Sequence, residues 1–222
     1  MNDDRLVPLR RNADDPIHRD AEKHDHDEGM SPMDPPDAYS PPTLAESVPY
    51  EEMHPFLREL RDEHEGFVRE LDTFDELLTK MLEVGIDRPT YEAMHSFFGV
   101  VDSQVIPHNR REERVLFPLL AARLLEHGEH SRGSTKTTAV DVLERDHLQV
   151  IQHSAVILNF FGIASHIPDP TSRGVVLETA IQQGKALVEM LRLHIFREDH
   201  LVFSLAHRYL STEELDRMRS QL

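Results

Sequence analysis

The sequence predicts an all-α protein: an up-down-up-down four-helix bundle with a short C-terminal helix over residues 49–222, preceded by a disordered N-terminal tail over residues 1–48. Apolar residues recur at steps of three and four along four long stretches, proline or glycine bounds several of these stretches, and the connections are short or moderate. A chain of 222 residues with 39% hydrophobic content is expected to form one core.

The N-terminal segment is rich in Asp, Glu and Pro, and its prolines interrupt any helical periodicity. It is therefore predicted to be an acidic, solvated tail. Its His18, His24 and His26 could chelate a divalent metal loosely, but a solvated tail is the favoured interpretation.

The first predicted helix starts at Pro55 and is ended by Gly85. Its apolar stripe contains Leu57, Leu60, His64, Phe67, Leu71, Phe74, Leu78 and Met81. The second helix lies between Pro89 and Gly128. Its stripe contains Tyr91, Met94, Phe98, Val101, Val105, His108, Glu112, Val115 and Leu119. Pro107 removes a backbone hydrogen bond within this helix, so a kink is expected before His108, and a further kink is expected at Pro118.

The third stripe stops before Pro168, and the fourth ends near Leu205. The third contains Val140, Leu143, His147, Val150, Ser154, Ile157 and Phe161. The fourth contains Ala180, Gln183, Leu187, Met190, His194, Glu198, Leu201 and Leu205. Ser211 followed by Glu214 forms a capping-box pattern that predicts a short fifth helix.

The composition excludes several classes of function. The net charge of -17 disfavours nucleic acid and anionic lipid as partners, and the absence of cysteine excludes disulfides, thiolate metal sites and cysteine nucleophiles. No continuous apolar run approaches the roughly 20 residues that span a bilayer, and no apolar signal region is visible, so no membrane association and a cytoplasmic location are expected. The 15 histidines are an unusually large number and indicate a metal site.

Ionisable residues interrupt each of the four apolar stripes. The candidate metal ligands are His64, His108, Glu112, His147, His194 and Glu198. A histidine with a glutamate four residues later places both side chains on one helix face, which suits an internal metal. Buried carboxylates require a nearby cation, and the nearby arginines lie off the stripes, so metal is the favoured explanation.

These ligands occur in two similar halves. The segment before His64 resembles the segment before His147, and residues 108–117 resemble residues 194–203. Asp199 is an alternative to Glu198 as the fourth-helix carboxylate, but the duplication favours Glu198. Four imidazoles and two carboxylates suit iron or manganese better than a closed zinc site. The remaining histidines lie off the stripes or in loops and are not expected to bind the metal.

Over roughly residues 52–210 the sequence resembles the hemerythrin-like family of HHE cation-binding domains. The two His-x3-Glu motifs, followed by Leu-Phe or Val-Phe, and the acidic residue before His64 and His147 carry the resemblance. It implies a four-helix bundle of hemerythrin type that holds two non-haem Fe ions with an oxo or hydroxo bridge. It also implies chemistry with dioxygen or its relatives.

The sequence departs from the oxygen-carrying hemerythrins in one respect. The carriers have a His-x3-His pair on the third helix, whereas here His147 is preceded by Leu143 and followed by Ile151. One ligand is therefore missing, and both irons are expected to have an open position. Ile151 is expected to lie on the same face as His147, pointing towards the metals.

These features favour a di-iron protein that binds or senses dioxygen or iron. An enzyme acting on hydrogen peroxide or nitric oxide, including one that repairs iron centres, is the alternative, although repair proteins carry an N-terminal cysteine segment that is absent here. A ferritin-like oxidase is suggested more weakly by the Glu-x2-His spacing of Glu92 with His95 and of Glu144 with His147.

Overall fold

The computed structural model describes residues 47–131, 133 and 135–221. Within these residues the fold is all-helical and contains no β-strand, which confirms the predicted class. The predicted disordered tail and its His18, His24 and His26 lie outside the described residues.

Five helical elements follow a short 3-10 turn at Tyr50–Glu52 in the described part of the chain. The elements are α1 (Pro55–Val84), α2 (residues 88–126), α3 (Ala139–His166), α4 (residues 170–209) and α5 (Thr212–Arg219). Two of them are composite. In α2 the α-helical parts are Arg88–Val100, Ile106–Arg111 and Phe117–Glu126, and in α4 they are Pro170–Arg197 and Phe203–Tyr209.

π-Helical turns join these parts. They span Val101–Val105 and Glu112–Leu116 in α2, and Glu198–Val202 in α4. The expected disruptions at Pro107 and Pro118 are therefore π turns that end two residues before each proline, which cannot donate a backbone hydrogen bond. The turn in α4 has no proline behind it and was not predicted from the sequence.

Side-chain caps fix where the helices begin. The His54 Nδ1 accepts from the backbone N–H of Phe56 at 3.2 Å at the start of α1, and Asp169 accepts from Ser172 at the start of α4 at 2.7 Å. Capping boxes open α2, α3 and α5, and the one at Ser211 is the box that the sequence predicted. Each cap satisfies backbone donors that the first helical turn leaves unpaired.

Two hydrophobic clusters divide the core lengthwise. The first, the N-terminal cluster, contains Phe56, Leu60, Leu116, Phe117, Leu143, Val202 and Phe203 among others. The second, the distal cluster, contains Phe67, Phe74, Val105, Val150, Ile157, Leu191 and Ile195 among others. Helices α1 and α3 run from the N-terminal cluster to the distal cluster, whereas α2 and α4 run the other way. Successive long helices are therefore antiparallel.

One position of the second apolar stripe differs from the sequence prediction. Tyr91 was placed on this stripe, but its side chain is exposed, and the buried hydrophobic residues of the helix begin one turn later at Met94. Helix α3 is long and apolar enough to cross a membrane, as core helices of soluble proteins can also be. Part of its surface that faces away from the core is nevertheless apolar, with Leu148 and Ile163 each 54% exposed.

Helices α1 and α4 approach closely at Gly184. A Cβ atom built there would lie 2.8 and 2.9 Å from the two methyl carbons of Leu78, which is fully buried. We predict that Gly184→Val lowers the free energy of unfolding by about 1–3 kcal/mol through overpacking. Gly174→Val, at an open position of the same helix, is the matched control. Urea unfolding measures both, and equal stabilities would contradict the close approach.

Candidate metal centre

The six predicted ligand residues lie together between the two hydrophobic clusters. All six side chains are buried, and Glu112 and Glu198 have no measurable solvent exposure. Each of the four long helices contributes one histidine, and α2 and α4 each add a glutamate at the first residue of a π turn. π turns are frequent at functional sites in helices, and here they coincide with the two carboxylates.

The imidazoles form two pairs. The Nε2 atoms of His64 and His108 are 3.1 Å apart, and the rings of His147 and His194 have centroids 4.8 Å apart. Each pair forms a compact group with Glu198, in which the potential ligand atoms all lie within 4.8 Å of one another. The structure therefore brings together two groups of potential metal ligands that share one carboxylate.

Both carboxylates extend between the two pairs. Oε1 of Glu112 lies 3.5 Å from His108 Nε2, and its Oε2 lies 3.6 Å from His147 Nε2. Oε2 of Glu198 lies 3.2 Å from His64 Nε2, and its Oε1 lies 3.1 Å from His194 Nε2. Each glutamate thus presents one oxygen to each histidine pair, which is the arrangement of a bridging carboxylate.

The donor set fits a metal, because the polar atoms at its centre are left without partners. All four carboxylate oxygens and the Nε2 atoms of His147 and His194 are buried without a hydrogen bond. Orphaned buried oxygens of this kind cost several kcal/mol each unless a cation compensates them. Nitrogen and oxygen ligands in this proportion suit iron or manganese.

The matching family model is the hemerythrin HHE cation-binding domain, and it matches residues 56–206. The chain belongs to this family. The match contains all six ligand residues and nearly all of the four long helices. Comparison with curated proteins finds no match. Membership therefore identifies a metal-binding domain of hemerythrin type, and the buried histidine and glutamate groups fit that assignment.

A second layer of carboxylates surrounds the hemerythrin-like site. Asp199 accepts from His64 Nδ1 at 2.7 Å, Glu63 accepts from His108 Nδ1 at 3.0 Å, and Glu113 accepts from His147 Nδ1 at 2.8 Å. Asp146 lies 3.5 Å from His194 Nδ1, an ion-pair distance. A proton on Nδ1 leaves Nε2 as the metal-binding nitrogen, so hydrogen bonds to these carboxylates orient three of the four imidazoles towards the centre, and Asp146 lies near the fourth without a hydrogen bond.

The four acids form a closed cycle around the site. Each acid is adjacent in sequence to a candidate ligand, but it contacts the histidine of another helix. The acid on α1 contacts the histidine of α2, the acid on α2 that of α3, the acid on α3 that of α4, and the acid on α4 that of α1. Two of these acids entered the sequence prediction only as part of a family motif. Their adjacency to the ligands was the signal that could have identified them.

Arginines neutralise three of the four outer carboxylates. Arg111 contacts Glu63, Arg197 Nη1 lies 3.0 Å from Asp146 Oδ2, and Arg61 Nε lies 3.9 Å from Asp199 Oδ2. These pairs explain why the arginines lie off the apolar stripes. The arginines form ion pairs with the outer acids that contact the histidines, and not with the buried glutamates.

The sequence left Asp199 open as an alternative to Glu198 for the fourth-helix carboxylate at the centre, but the structure places Asp199 outside the inner group of potential metal ligands. Its carboxylate lies on the Nδ1 side of His64, whereas Glu198 faces both Nε2 groups. The geometry places Glu198 in the inner group of potential metal ligands and Asp199 outside it, where Asp199 positions His64.

The expectation that Ile151 faces the metals is wrong. Its side chain is 51% exposed, whereas Leu143 and Val150 are buried on the same side as His147. The buried face of α3 contains Leu143, four residues before His147, and Val150, three residues after it. Ile151, four residues after His147, therefore points away from this face. Glu92 and Glu144, the basis of the ferritin-like alternative, are also exposed and lie outside the buried ligand group.

The electrostatics of the centre favour protonated imidazoles when no metal is bound. Burial lowers the pKa of His64, but the hydrogen bond to Asp199 and the adjacent carboxylate of Glu198 outweigh it and raise the pKa to about 9. Burial also lowers the pKa of His108 and His194, yet the charges of Glu112 and Glu198 and the outer acids raise each pKa to about 10. The same imidazoles hold the pKa of Glu198 well below its usual range, against the effect of burial.

A small cavity adjoins one side of the centre. It has about 20 Å³ of space, enough for one water-sized molecule. His64, His108, His194 and Glu198 form its polar wall, and apolar side chains from α1, α2 and α4 form the rest, including Phe67, Val101, Val105 and Leu191. Asn109 also lines the cavity, and its side chain is 7% exposed with no hydrogen bond in the described part of the chain.

Glu198 and Asp199 are predicted to differ sharply when they are neutralised. Glu198→Gln should abolish most metal binding, because it removes a carboxylate shared by both histidine groups. Asp199→Asn should keep the metal stoichiometry but weaken affinity about 10- to 100-fold, as loss of an orienting partner typically does. Titration with Fe(II) under anaerobic conditions measures both. The reverse order of effects would make Asp199 the bridging residue.

The raised histidine pKa values predict a pH dependence of stability for the metal-free protein. Protonated His64, His108 and His194 stabilise the folded state below their unfolded pKa near 6.5. This stabilisation is lost as the pH rises through about 9 to 10, because the folded-state values lie there. Chelator-treated protein should therefore lose on the order of a few kcal/mol between about pH 7 and 10.5.

Metal-loaded protein is the control for this experiment, since imidazoles that bind metal carry no proton on Nε2 over this range. Urea unfolding at both pH values compares the two forms. A metal-free protein that loses no more stability than the loaded form would contradict the protonation of these histidines.

Proposed function

We propose that the protein is a hemerythrin-type di-iron protein that binds or senses dioxygen or iron. Two non-haem irons would be held by the six buried ligands, with an oxo or hydroxo bridge between them. The observation that carries the proposal is the pair of buried glutamates that each present one oxygen to either histidine pair.

Within this proposal the four long helices form an up-down-up-down four-helix bundle. The antiparallel order of the helices supports it, as does the cycle of carboxylate-to-histidine contacts from each helix to the next. A ligand set contributed by four neighbouring helices around an axis is the usual way in which bundles hold two metals.

The protein ligands divide equally between the two proposed iron positions. His64 and His108 would hold the first iron, and His147 and His194 would hold the second, with one oxygen of Glu112 and one of Glu198 for each. Four protein ligands and one shared bridge would leave each iron below six-coordination. Iron in this state supplies the capacity to bind and reduce dioxygen, peroxide or nitric oxide.

The protein's own contribution is to control access. The apolar side chains around the cavity exclude bulk water and favour a small, weakly polar ligand. Asn109 also lines the cavity, and its side-chain amide would donate a hydrogen bond to such a ligand. The size of the cavity limits that ligand to the scale of dioxygen or nitric oxide.

The cavity also bears on the alternative, an enzyme that acts on hydrogen peroxide or nitric oxide. It reaches His64, His108, His194 and Glu198 but not His147 or Glu112. The lining thus contains both histidines of the first proposed iron position but only one histidine of the second. This unequal access supports binding or sensing over chemistry that requires both irons to be equally accessible.

The proposal predicts about two irons per chain. His108→Ala and His194→Ala should each remove most of the metal, because each deletes a buried ligand, whereas His153→Ala should retain it. His153 is half-buried on α3 and lies outside both ligand groups. Metal analysis with circular dichroism as the fold control measures this. Equal loss in the His153 variant would contradict the ligand assignment.

Function is then tested on the reduced, iron-loaded protein. The proposed role requires a spectroscopic change on exposure to dioxygen or nitric oxide, with slow consumption of hydrogen peroxide. Rapid peroxide turnover that depends on His108 would favour the enzyme instead. A protein that loads two irons but responds to none of these ligands would favour iron sensing.

A further inference from the structure

The outer face of α3 is unusually apolar. Charged residues make up 29% of the whole chain, yet residues 147–168 contain no Asp, Glu, Lys or Arg. Buried positions do not account for this composition, because only 22% of the most apolar stretch of this helix is buried. A solvent-facing helix surface normally carries charged and polar side chains. An exposed helix surface without charged residues is therefore expected to pack against another surface.

Large apolar side chains project from this face. Leu148, Ile151, Val156, Leu158 and Ile163 are each between 38% and 54% exposed. They are five of the twelve large hydrophobic side chains that are exposed in the described residues. Val150, Ile157 and Phe161 on the opposite side of the same helix are buried in the distal cluster. Helix α3 thus has two apolar faces, and the described residues cover only one of them.

Within the exposed face, one row of residues has the spacing of a helix-packing seam. This outer stripe consists of Leu148, Ile151, Ala155, Leu158 and Gly162, at steps of three and four. Such spacing keeps side chains on one line along a helix and fits the a and d positions of a coiled-coil contact. The seam runs for about 21 Å, at about 1.5 Å per residue.

The outer stripe is complementary to itself when two copies run antiparallel. If Ala155 of two copies meets at a two-fold axis, Leu148 lies opposite Gly162, and Ile151 and Leu158 lie within one residue, about 1.5 Å, of the same level. Large side chains then face small ones at the ends, and the small residue at the centre allows the helices to approach closely. An interface between identical surfaces about a two-fold axis requires this kind of self-complementarity.

We propose that the outer stripe is the interface of an antiparallel homodimer. The charge of the chain supports a second copy as the occupant: with a net charge of -17, two copies repel each other wherever charged surfaces meet, and this face is free of formal charge. Leu193 and Phe196 are also exposed on α4, which packs against α3, and a stable interface buries roughly 800 Å² per partner.

A membrane surface is the competing occupant, and it is disfavoured. The other side of α3 carries Asp146 and His147, which are buried against α4 and the two central carboxylates. Insertion of the helix into a bilayer would separate these polar groups from their partners. The acidic chain would also be repelled by anionic lipid. The dimer does not depend on the proposed iron chemistry.

The test uses the full-length protein and one matched pair of variants. Sedimentation equilibrium should show a wild-type dimer, and Ile151→Glu should weaken dimerisation at least tenfold. Leu82→Glu, an equally exposed leucine on α1, should leave it unchanged. Circular dichroism and iron content confirm the fold of each variant. A wild type that is still monomeric at about 100 μM, where even a dimer of modest affinity is populated, or equal effects of both variants, would overturn the proposal.

Cysteine cross-linking tests the orientation, because the chain contains no cysteine of its own. Ala155→Cys should form an intermolecular disulfide, and a mixture of the Leu148→Cys and Gly162→Cys proteins should cross-link to each other. Leu148→Cys alone should not, since its partner would lie far along the seam. Efficient cross-linking of Leu148→Cys alone would overturn the antiparallel arrangement.

Two further measurements separate the other occupants. Flotation with phosphatidylcholine vesicles detects membrane binding, and binding by a monomeric wild type that Ile151→Glu abolishes would replace the dimer with a membrane surface. Deletion of residues 1–46 tests whether the N-terminal segment covers the stripe. A monomer that dimerises only after this deletion would assign the stripe to that segment and overturn the proposal.

Discussion

The structure depends on the burial of two carboxylates, Glu112 and Glu198, at the middle of the molecule. Neither side chain reaches solvent, and no hydrogen bond satisfies their oxygens. A buried anion of this kind is tolerated only beside positive charge. Protonated His64, His108 and His194 supply it when no metal is bound, and metal ions would supply more. The apolar core is consequently split into two clusters with this polar layer between them.

The polar layer also explains the acids outside it. An imidazole that faces a metal with Nε2 must direct its Nδ1–H elsewhere, and a carboxylate on the neighbouring helix accepts it in most cases. Arginines then offset the charge of three of these acids. Charge thus alternates outward from the centre, from carboxylate to imidazole to carboxylate to guanidinium, and links every long helix to its neighbours.

The sequence was sufficient to predict the helices and the residues of the central layer, because both follow from local rules. Apolar periodicity and capping residues such as Pro55, Gly85 and Ser211 depend on neighbours within a few positions. The outer acids were missed as a group since each supports a histidine on another helix, and sequence spacing within one helix does not reveal that contact. Ile151 was misplaced because the buried arc of α3 extends to one side of His147, which periodicity alone does not specify.

The π turns determine how α2 and α4 would respond to the deletion of a residue. Each contains one residue more than an α-helical turn, so the helix after it is rotated by about 100° relative to an uninterrupted α-helix. That rotation allows α4 to bury Glu198 and, immediately afterwards, the adjacent pair Val202 and Phe203. Deleting a single residue from this turn would yield a more regular helix, yet it would turn Phe203 and the core beyond it away from their partners. In α2 and α4, the π turns therefore determine which side chains of the following helical segment face the core.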